Sequence, residues 1–378
     1  MKFCIITHVN HYQEQNKYFA YAPYVREMNI WLQFVDEVII VAPLEKKEKT
    51  PIDIAYGKER IIFKIVPTFN ITTVKQLVKT LCFLPVLFYT VYKAMQKADH
   101  IHLRCPGNMG LIGCLAQVFF PKKKKTAKYA GNWDPKAKQS LSYILQKWIL
   151  SNTFLTKNMQ VLVYGEWPNQ TKNSKPFFTA TYSEKEIQNS AVLLPKIREE
   201  LQNSEKYKFI FVGTLSKGKQ PLYAIQVIEQ LHLLGKKVSL EVYGEGILRK
   251  ELEHYIKTNA LQKLVSFKGN QTKETITAAY QESCFLILAS KSEGWPKVVA
   301  EAMFWGCVPV VTPVSCVPYM LDNGNRGILL QEQLEQDVKQ IISIIMDHVK
   351  YELMRYNGMK WSRQFTTDKF ASEIKELI

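Results

Sequence analysis

Short apolar runs alternate with longer helix-patterned stretches along nearly the whole chain, and few folds can accommodate that alternation. In the first half, Lys2–His8, Glu37–Ala42, Ile61–Val66, His100–Arg104 and Lys128–Ala130 read as strands. Tyr24–Phe34, Val74–Lys97, Met109–Phe120 and Leu141–Ser151 read as helices between or after them, and Val161–Tyr164 and Phe177–Thr181 add short strands. Strands without in–out alternation, separated by helices, call for a parallel sheet covered on both faces. The polar stretch Ser183–Ser204 interrupts the pattern, which then restarts. Strands are expected at Tyr207–Val212, Val238–Tyr243, Val265–Lys268, Phe285–Ala289 and Val308–Val311. Helices are expected at Pro221–Leu234, Ile247–Asn259, Thr272–Glu282 and Pro296–Gly306, and Asp337–Ile378 reads as all-helical.

A chain of 378 residues suits two domains rather than one core. The expected division is an α/β domain over 1–190, a second doubly wound α/β domain over 205–355, and a C-terminal helical piece over 356–378 that packs back on the first domain. Charge is unevenly spread. Residues 1–190 carry 26 Lys+Arg against 13 Asp+Glu, a net of +13, while residues 191–378 carry 24 against 21, a net of +3. The excess in the first half suits an anionic membrane surface or nucleic acid, or is simply a solvated basic face. Lys122–Lys125 reads best as a solvated corner. Nucleic acid is the weakest of these partners, because no recognition motif accompanies the charge.

Met1-Lys2 leads straight into strand-like Phe3-Cys4-Ile5-Ile6 rather than into a secretory leader. Seven cysteines form no CxxC pair and leave an odd one over, so reduced, mostly buried thiols in a cytoplasmic protein are expected. Thr80–Tyr92 is uncharged but shorter than the ~18–20 residues that a span needs. It reads as a core helix or an interfacial segment, and Pro309, Pro313 and Pro318 break the other apolar stretch.

The segment Ser290–Thr312, SKSEGWPKVVAEAMFWGCVPVVT, carries the most chemistry. Glu293 and Glu301 are joined through a Gly-Trp-Pro turn and a short apolar helix. The spacing alone means little, since Glu37/Glu45, Glu245/Glu253 and Glu274/Glu282 repeat it. Context separates this pair, because Glu301 lies within the apolar run Val298–Phe304. A carboxylate there costs on the order of 1–3 kcal/mol per unmet partner, so something should bind it. The plainer alternative is a satisfied core carboxylate. Carboxylates grip sugar hydroxyls and a helix N-terminus grips phosphate, so the two together point to a nucleotide-sugar site.

Two more loops fall at strand ends. Phe211–Lys219, FVGTLSKGK, combines glycines that admit close backbone approach with Lys217 and Lys219, which can neutralise phosphate. Tyr243-Gly244-Glu245-Gly246 is a strand-to-helix turn, and Gly-x-Gly turns are also common connectors. With SEGWPKVVAEAM, the Phe267–Asn270 turn and the closing Asn323-Gly324…Arg326–Leu329, these loops resemble the C-terminal domain of retaining glycosyltransferases of family 4. The resemblance covers about Lys208–Leu330. It implies the GT-B fold, two Rossmann-like domains facing across a cleft, and transfer of a sugar from a nucleotide diphosphate donor with neither metal nor cofactor.

By the resemblance, Glu293 meets donor-sugar hydroxyls, Glu301 holds the ribose diol and Lys219 binds phosphate. Gly213, Gly244 and Gly246 line the donor site, Gly294, Trp295, Pro296 and Lys297 surround the distal phosphate, and Asn270 lies near the base. Trp295 reads more simply as a packing residue. Thr214 replaces the family's Arg, with Lys217 or Lys297 as candidate substitutes. In the first domain, His8-Val9-Asn10-His11-Tyr12 replaces the usual Gly-rich loop, and Gly131-Asn132-Trp133-Asp134 replaces the usual His. His8, His11, Arg104, Asn132 and Asp134 are the acceptor-side candidates. For His8 and His11 an ordinary loop role, and for Asp134 a turn, are the plainer readings.

The resulting expectation is a retaining transferase acting on a saccharide or lipid-linked acceptor in cell-envelope polysaccharide or glycolipid synthesis. It would work in the cytoplasm or at the inner face of the plasma membrane. A nucleotide-sugar epimerase of the same fold and an inactive nucleotide-sugar binder are the alternatives.

Overall fold

The computed structural model describes residues 1–46, 50, 52–67, 74–189 and 206–378, with the side chains of 74–82 outside the description. It divides into two compact units, Met1–Phe178 with Phe370–Ile378, and Thr179–Lys369. The divisions thus fall at Phe178/Thr179 and Lys369/Phe370, earlier and later respectively than the polar stretch and helix start marked in the sequence. Much of that polar stretch, 190–205, lies outside the described residues.

The first unit contains β1 (Lys2–Ile6), β2 (Tyr12–Glu14), β3 (Lys17–Tyr21), α1 (Ala22–Leu32), β4 (Glu37–Pro43), β5 (Asp53–Ala55), β6 (Ile61–Val66) and α2 (Val74–Lys97). It continues with β7 (His100–Cys105), α3 (Asn108–Ala116), β8 (Lys124–Tyr129), α4 (Leu141–Ser151), β9 (Met159–Tyr164) and β10 (Ser174–Phe177). The parallel order is β10-β9-β8-β7-β1-β4-β6, reversing between β1 and β7. Ile6 lies level with both Val41 and Leu103, so the chain leaves β1 beside the end of β7. The small antiparallel sheet β2-β3-β5 was not expected from the sequence. Its strands are too short to show a period, and they pair across distant residues (Phe19 with Ala55).

β8 begins at Lys124, four residues before the expected start, because lysines are poor signals of a central strand. The Lys122–Lys125 run is therefore only in part a solvated corner, with Lys122 and Lys124 exposed and Lys123 and Lys125 turned to partners. Lys123 donates to the carbonyls of Met95 (3.0 Å), Gln96 (2.7 Å) and Ala98 at the end of α2. Carbonyls in the last turn of a helix are short of intrahelical donors, and a cation there also meets the negative end of the helix. Lys125 is 1 % exposed and donates to Gln117 Oε1 at 2.8 Å. Burial pushes its pKa down to about 8. Lys124 remains exposed and donates to the Ile378 carbonyl at 2.9 Å.

Thr80–Tyr92 falls inside α2, whose buried Leu87, Val91, Ala94 and Met95 make it a core helix. No helix among the described residues is long and apolar enough to cross a membrane. The six cysteines with described side chains are free and buried. Phe370 packs on Phe177 and Phe178, with centroids 5.4 and 5.7 Å away, and seats the last residues in the first unit.

Beneath this sheet, His100 Nε2 and His102 Nδ1 share the Thr126 hydroxyl, each at 2.9 Å. Both rings are fully buried, and burial lowers His100 to about 3 and His102 well below its ordinary value. The folded pKa values lie under the unfolded value of 6.5, so the unfolded chain binds protons first as pH falls. Stability is then complete above about pH 6.5 and drops below it, by up to about 1.4 kcal/mol per pH unit for each ring. Thermal midpoints measured from pH 7 to 5 should fall, and His100→Asn should flatten the slope.

The second unit contains β11 (Tyr207–Val212), α5 (Pro221–Leu233), β12 (Val238–Tyr243), α6 (Arg249–Thr258), β13 (Val265–Gly269), α7 (Lys273–Gln281) and β14 (Phe285–Leu288). It continues with α8 (Lys297–Phe304), β15 (Val308–Val311), α9 (Val317–Met320), β16 (Ile328–Leu329), α10 (Leu334–Met346), α11 (His348–Ser362) and α12 (Thr367–Leu377), whose end lies in the first unit. Its parallel order is β13-β12-β11-β14-β15-β16. Phe209, Ile210, Phe211 and Phe285–Leu288 are buried on both faces, as continuous apolar runs require. The order reverses between β11 and β14, where such sheets open a crevice at the strand C-termini.

Candidate functional site

The loops leaving β11 and β14 meet at that reversal. Pro221 stands in the first turn of α5 and Gln220 takes a left-handed conformation at φ 48°, so loop 213–220 turns back sharply. Gln220 Nε2 donates to the Ala289 carbonyl at 2.8 Å, and Lys291 N donates to the Gly218 carbonyl at 2.9 Å, lacing the two loops together. Across them, Lys219 Nζ donates to Glu293 Oε1. The carboxylate is 10 % exposed and the lysine 28 %, so the pair sits in a recess where attraction is stronger than at an open surface. The two residues expected to act on a donor's sugar and phosphate are thus brought into contact.

Glu301 lies one turn into α8, half-buried. It accepts from Thr181 Oγ1 at 2.6 Å and from Tyr280 OH at 3.4 Å. Hydroxyl donors answer the need for partners that its apolar surroundings impose. Neither Thr181 nor Tyr280 is signalled in the sequence, because they come from 120 and 21 residues away.

The Gly-Trp-Pro turn is held from below. The Gly294 carbonyl accepts from Ser315 Oγ and Cys316 Sγ, both at 3.1 Å. Trp295 is 7 % exposed and packs on Trp361 (6.0 Å, stacked) and Phe365 (5.7 Å, edge-on). Trp295, grouped with the donor-binding residues above, is therefore a packing residue. Pro296 caps α8 from just outside it and Lys297 is the first helical residue, so the positive end of the helix lies at the turn.

The glycines of the second loop have a different task from the one expected. Val212 pairs with Tyr243, so loops 213 and 244 leave the sheet side by side. A Cβ on Gly244, whose φ is +133°, would meet the Gly213 carbonyl oxygen at 2.0 Å, and one on Gly246 would meet that of Leu215 at 2.4 Å. Gly213 N donates to the Tyr243 carbonyl and Leu215 N to that of Glu245, at 2.9 and 3.0 Å. Gly244 and Gly246 therefore let one loop seat another. Gly246→Ala should cost about 1–3 kcal/mol from overlap with the Leu215 backbone. In Gly213→Ala the new Cβ meets only Phe211 and Leu288 carbons at 3.6 Å or beyond, and the change should stay within about 1 kcal/mol. Denaturant titration of both variants tests this contrast. Thr214, Lys217 and Asn270 are exposed at the rim of the same strand ends.

In the first unit the candidates divide. His8 follows β1 at the reversal, with its Nδ1 2.6 Å from where a Cβ on Gly107 would stand. Surrounding protein, then Arg104, lower its pKa, although part of the ring reaches solvent. His11 is fully buried, bonded to Tyr56 OH and the Val9 carbonyl at 2.7 Å each, and lowered by burial to about 4. It is a core histidine, not an acceptor-side group. Arg104 is committed to Glu27 at 2.8 Å, with Lys128 on the same Glu27 oxygen at 3.0 Å. Glu27 was missed because its partners lie 77 or more residues away. Asn132 Oδ1 accepts from Asp134 N and Asp134 Oδ1 from Lys136 N, at 2.9 and 2.8 Å, so both side chains serve their own turn.

Residues 195–361 match the model of the family described as Glycosyl transferases group 1. An uncharacterized glycosyltransferase of Methanocaldococcus jannaschii is 23 % identical over 182 residues, 48 % of this chain and 50 % of the relative. A GalNAc-alpha-(1->4)-GalNAc-alpha-(1->3)-diNAcBac-PP-undecaprenol alpha-1,4-N-acetyl-D-galactosaminyltransferase of Campylobacter jejuni is 31 % identical over 173 residues, 44 % of this chain and 45 % of the relative. The chain spans about half the length of the curated relatives it matches. Over its whole length it is similar in structure to a sucrose-phosphate synthase from Thermosynechococcus elongatus (TM-score 0.69, 15 % identity, 98 % of that chain). It is likewise similar to Anabaena HepE, solved with UDP and glucose (TM-score 0.67, 15 % identity, 100 % of this chain, 98 % of that one). The fold is GT-B.

Proposed function

We propose that the protein transfers a sugar from a nucleotide diphosphate donor to a saccharide or lipid-linked acceptor, with retention at the anomeric carbon. The observation that carries this reading is the contact between Lys219 and Glu293 at the reversal of the second sheet, beside the start of α8. An ammonium group and a helix N-terminus neutralise a departing diphosphate, and a neighbouring carboxylate accepts bonds from sugar hydroxyls. In the structure the two charges satisfy each other. A bound donor would separate them, taking the lysine with phosphate oxygens and the carboxylate with hydroxyls.

Glu301, held by neutral hydroxyls, keeps acceptor capacity for a ribose diol, and exposed Asn270 is assigned to the base. Stabilisation of the leaving diphosphate by Lys219 and helix dipoles supplies what a metal would otherwise do, so the reaction is read as metal-independent. Attack on the face the diphosphate leaves accounts for retention. His8 is the acceptor-side residue that keeps solvent access at the reversal of the first sheet. The relative that acts on an undecaprenol-linked saccharide supports a lipid-linked acceptor and a place in cell-envelope polysaccharide or glycolipid synthesis at the cytoplasmic membrane face.

Thermal-shift measurements with a panel of nucleotide diphosphate sugars identify the donor, since binding stabilises the native state. Incubation of that donor with and without membrane-extracted acceptors then tests transfer. Acceptor-dependent release of nucleoside diphosphate is expected. Interconversion of the donor sugar alone, or binding without turnover, would sink the reading.

A further inference from the structure

We propose that the outer face of α4, with the turn after it, seats the chain on an anionic lipid surface without spanning it. α4 already has its core contact through Gln146, Ile149 and Leu150. Yet Leu141 (85 %), Ile144 (52 %), Leu145 (42 %) and Trp148 (58 %) are exposed at helical spacing, and Phe154 (74 %) follows. These residues form an apolar stripe that folding does not require. α3 packs beside α4, and Leu115 on it and Phe119 just beyond are also exposed. Apolar surface of this extent on adjacent helices marks an interaction face.

Charge identifies the occupant. Between Asp99 and Glu166 the only acidic residue is Asp134, against ten Lys and Arg. Arg104, Lys123, Lys125 and Lys128 have interior or helix-end partners. Lys124 and Lys147 donate to backbone carbonyls, which leaves exposed Lys122, Lys136 and Lys138, the last two just before the stripe, and Lys157, 5.0 Å over the Phe154 ring, to face a partner. A stripe ending in Trp and Phe, edged by lysines and free of carboxylates, is complementary to anionic headgroups over acyl chains. The helix of 11 residues is far below the ~20 of a span, so the contact is interfacial. The docking needs no sugar donor, so its test stands apart from that of the transfer reading.

Co-sedimentation of the full chain with vesicles of phosphatidylcholine alone, or mixed with phosphatidylglycerol, tests it. Binding to the mixed vesicles is expected, weakened by salt. Ile144→Glu with Trp148→Glu should cut it at least about a hundredfold, since two apolar anchors are lost. Lys136→Gln with Lys138→Gln should cut it roughly 25-fold and reduce its salt dependence. All four side chains are exposed, so circular dichroism should show an unchanged fold, and Ile144→Ser with Trp148→Ser serves if it does not. A wild-type chain that stays in the supernatant with mixed vesicles overturns the proposal. So does a dimer that the Ile144/Trp148 changes dissociate while vesicle binding persists, since a second copy would then own the stripe.

Discussion

Lys219→Ala or Glu293→Ala will leave the chain folded and lower sugar transfer by roughly two to three orders of magnitude, the loss typical when one preorganised charge is removed from a developing one. Folding tolerates Glu293→Ala the more readily, because Lys219 is 28 % exposed and regains water when freed, whereas Lys219→Ala leaves a carboxylate that is only 10 % exposed. A partly exposed ion pair contributes about 1 kcal/mol or less to stability. The two variants should differ in which constant suffers. On the proposed function, loss of Lys219 removes stabilisation of charge that grows as the diphosphate leaves, so kcat should fall most. Loss of Glu293 removes hydroxyl contacts made in ground and transition states alike, so KM should rise as well. Steady-state kinetics with an identified donor, beside thermal midpoints, separates these effects. Wild-type turnover in either variant would show that the contact is only a brace between loops.

Glu27→Leu should destabilise the first unit by about 3–5 kcal/mol, the usual consequence of removing one member of a buried ion cluster. Glu27 is 2 % exposed on its side chain and holds Arg104 at 2.8 Å and Lys128 at 3.0 Å, the latter with no side-chain exposure at all. Leucine would leave two like charges together in a low dielectric. Aromatic faces of Tyr24, near Arg104, and of Phe370, 4.9 Å from Lys128, offset only part of that cost. The thermal midpoint should fall by roughly 10 °C for a unit of this size. Replacing Arg104 and Lys128 by Leu and Met in the same chain should restore much of it, because the cost lies in the unpaired cations. A midpoint unmoved by Glu27→Leu would mean that solvent reaches this cluster.

Most of the architecture was legible because its signals are local. Apolar runs such as Phe209–Val212 and Phe285–Leu288 are strands whatever surrounds them. Pro221 marks a helix start, and the restart after the polar stretch announces a second sheet. The antiparallel sheet β2-β3-β5 and the early start of β8 were not legible, since the one depends on distant pairing and the other on lysines whose partners lie elsewhere in the chain. His11 and Arg104 were misread for the same reason. Their residue types suit a site, and nothing nearby in the sequence says that Tyr56 and Glu27 already occupy them.

The sequence alone determined that Glu293, Lys219 and Glu301 lie on loops or a helix start after parallel strands, because strand and helix boundaries follow from local apolar pattern, proline and glycine. Only the tertiary structure decided which side chains meet. The reversal of strand order beside β11 carries loops from residues 219 and 293 together, and hydrogen-bond partners such as Thr181 and Tyr280 are selected by packing across long stretches of chain. It also decided that Gly244 and Gly246 make room for a neighbouring backbone, a requirement that exists only once two loops leave the sheet in register.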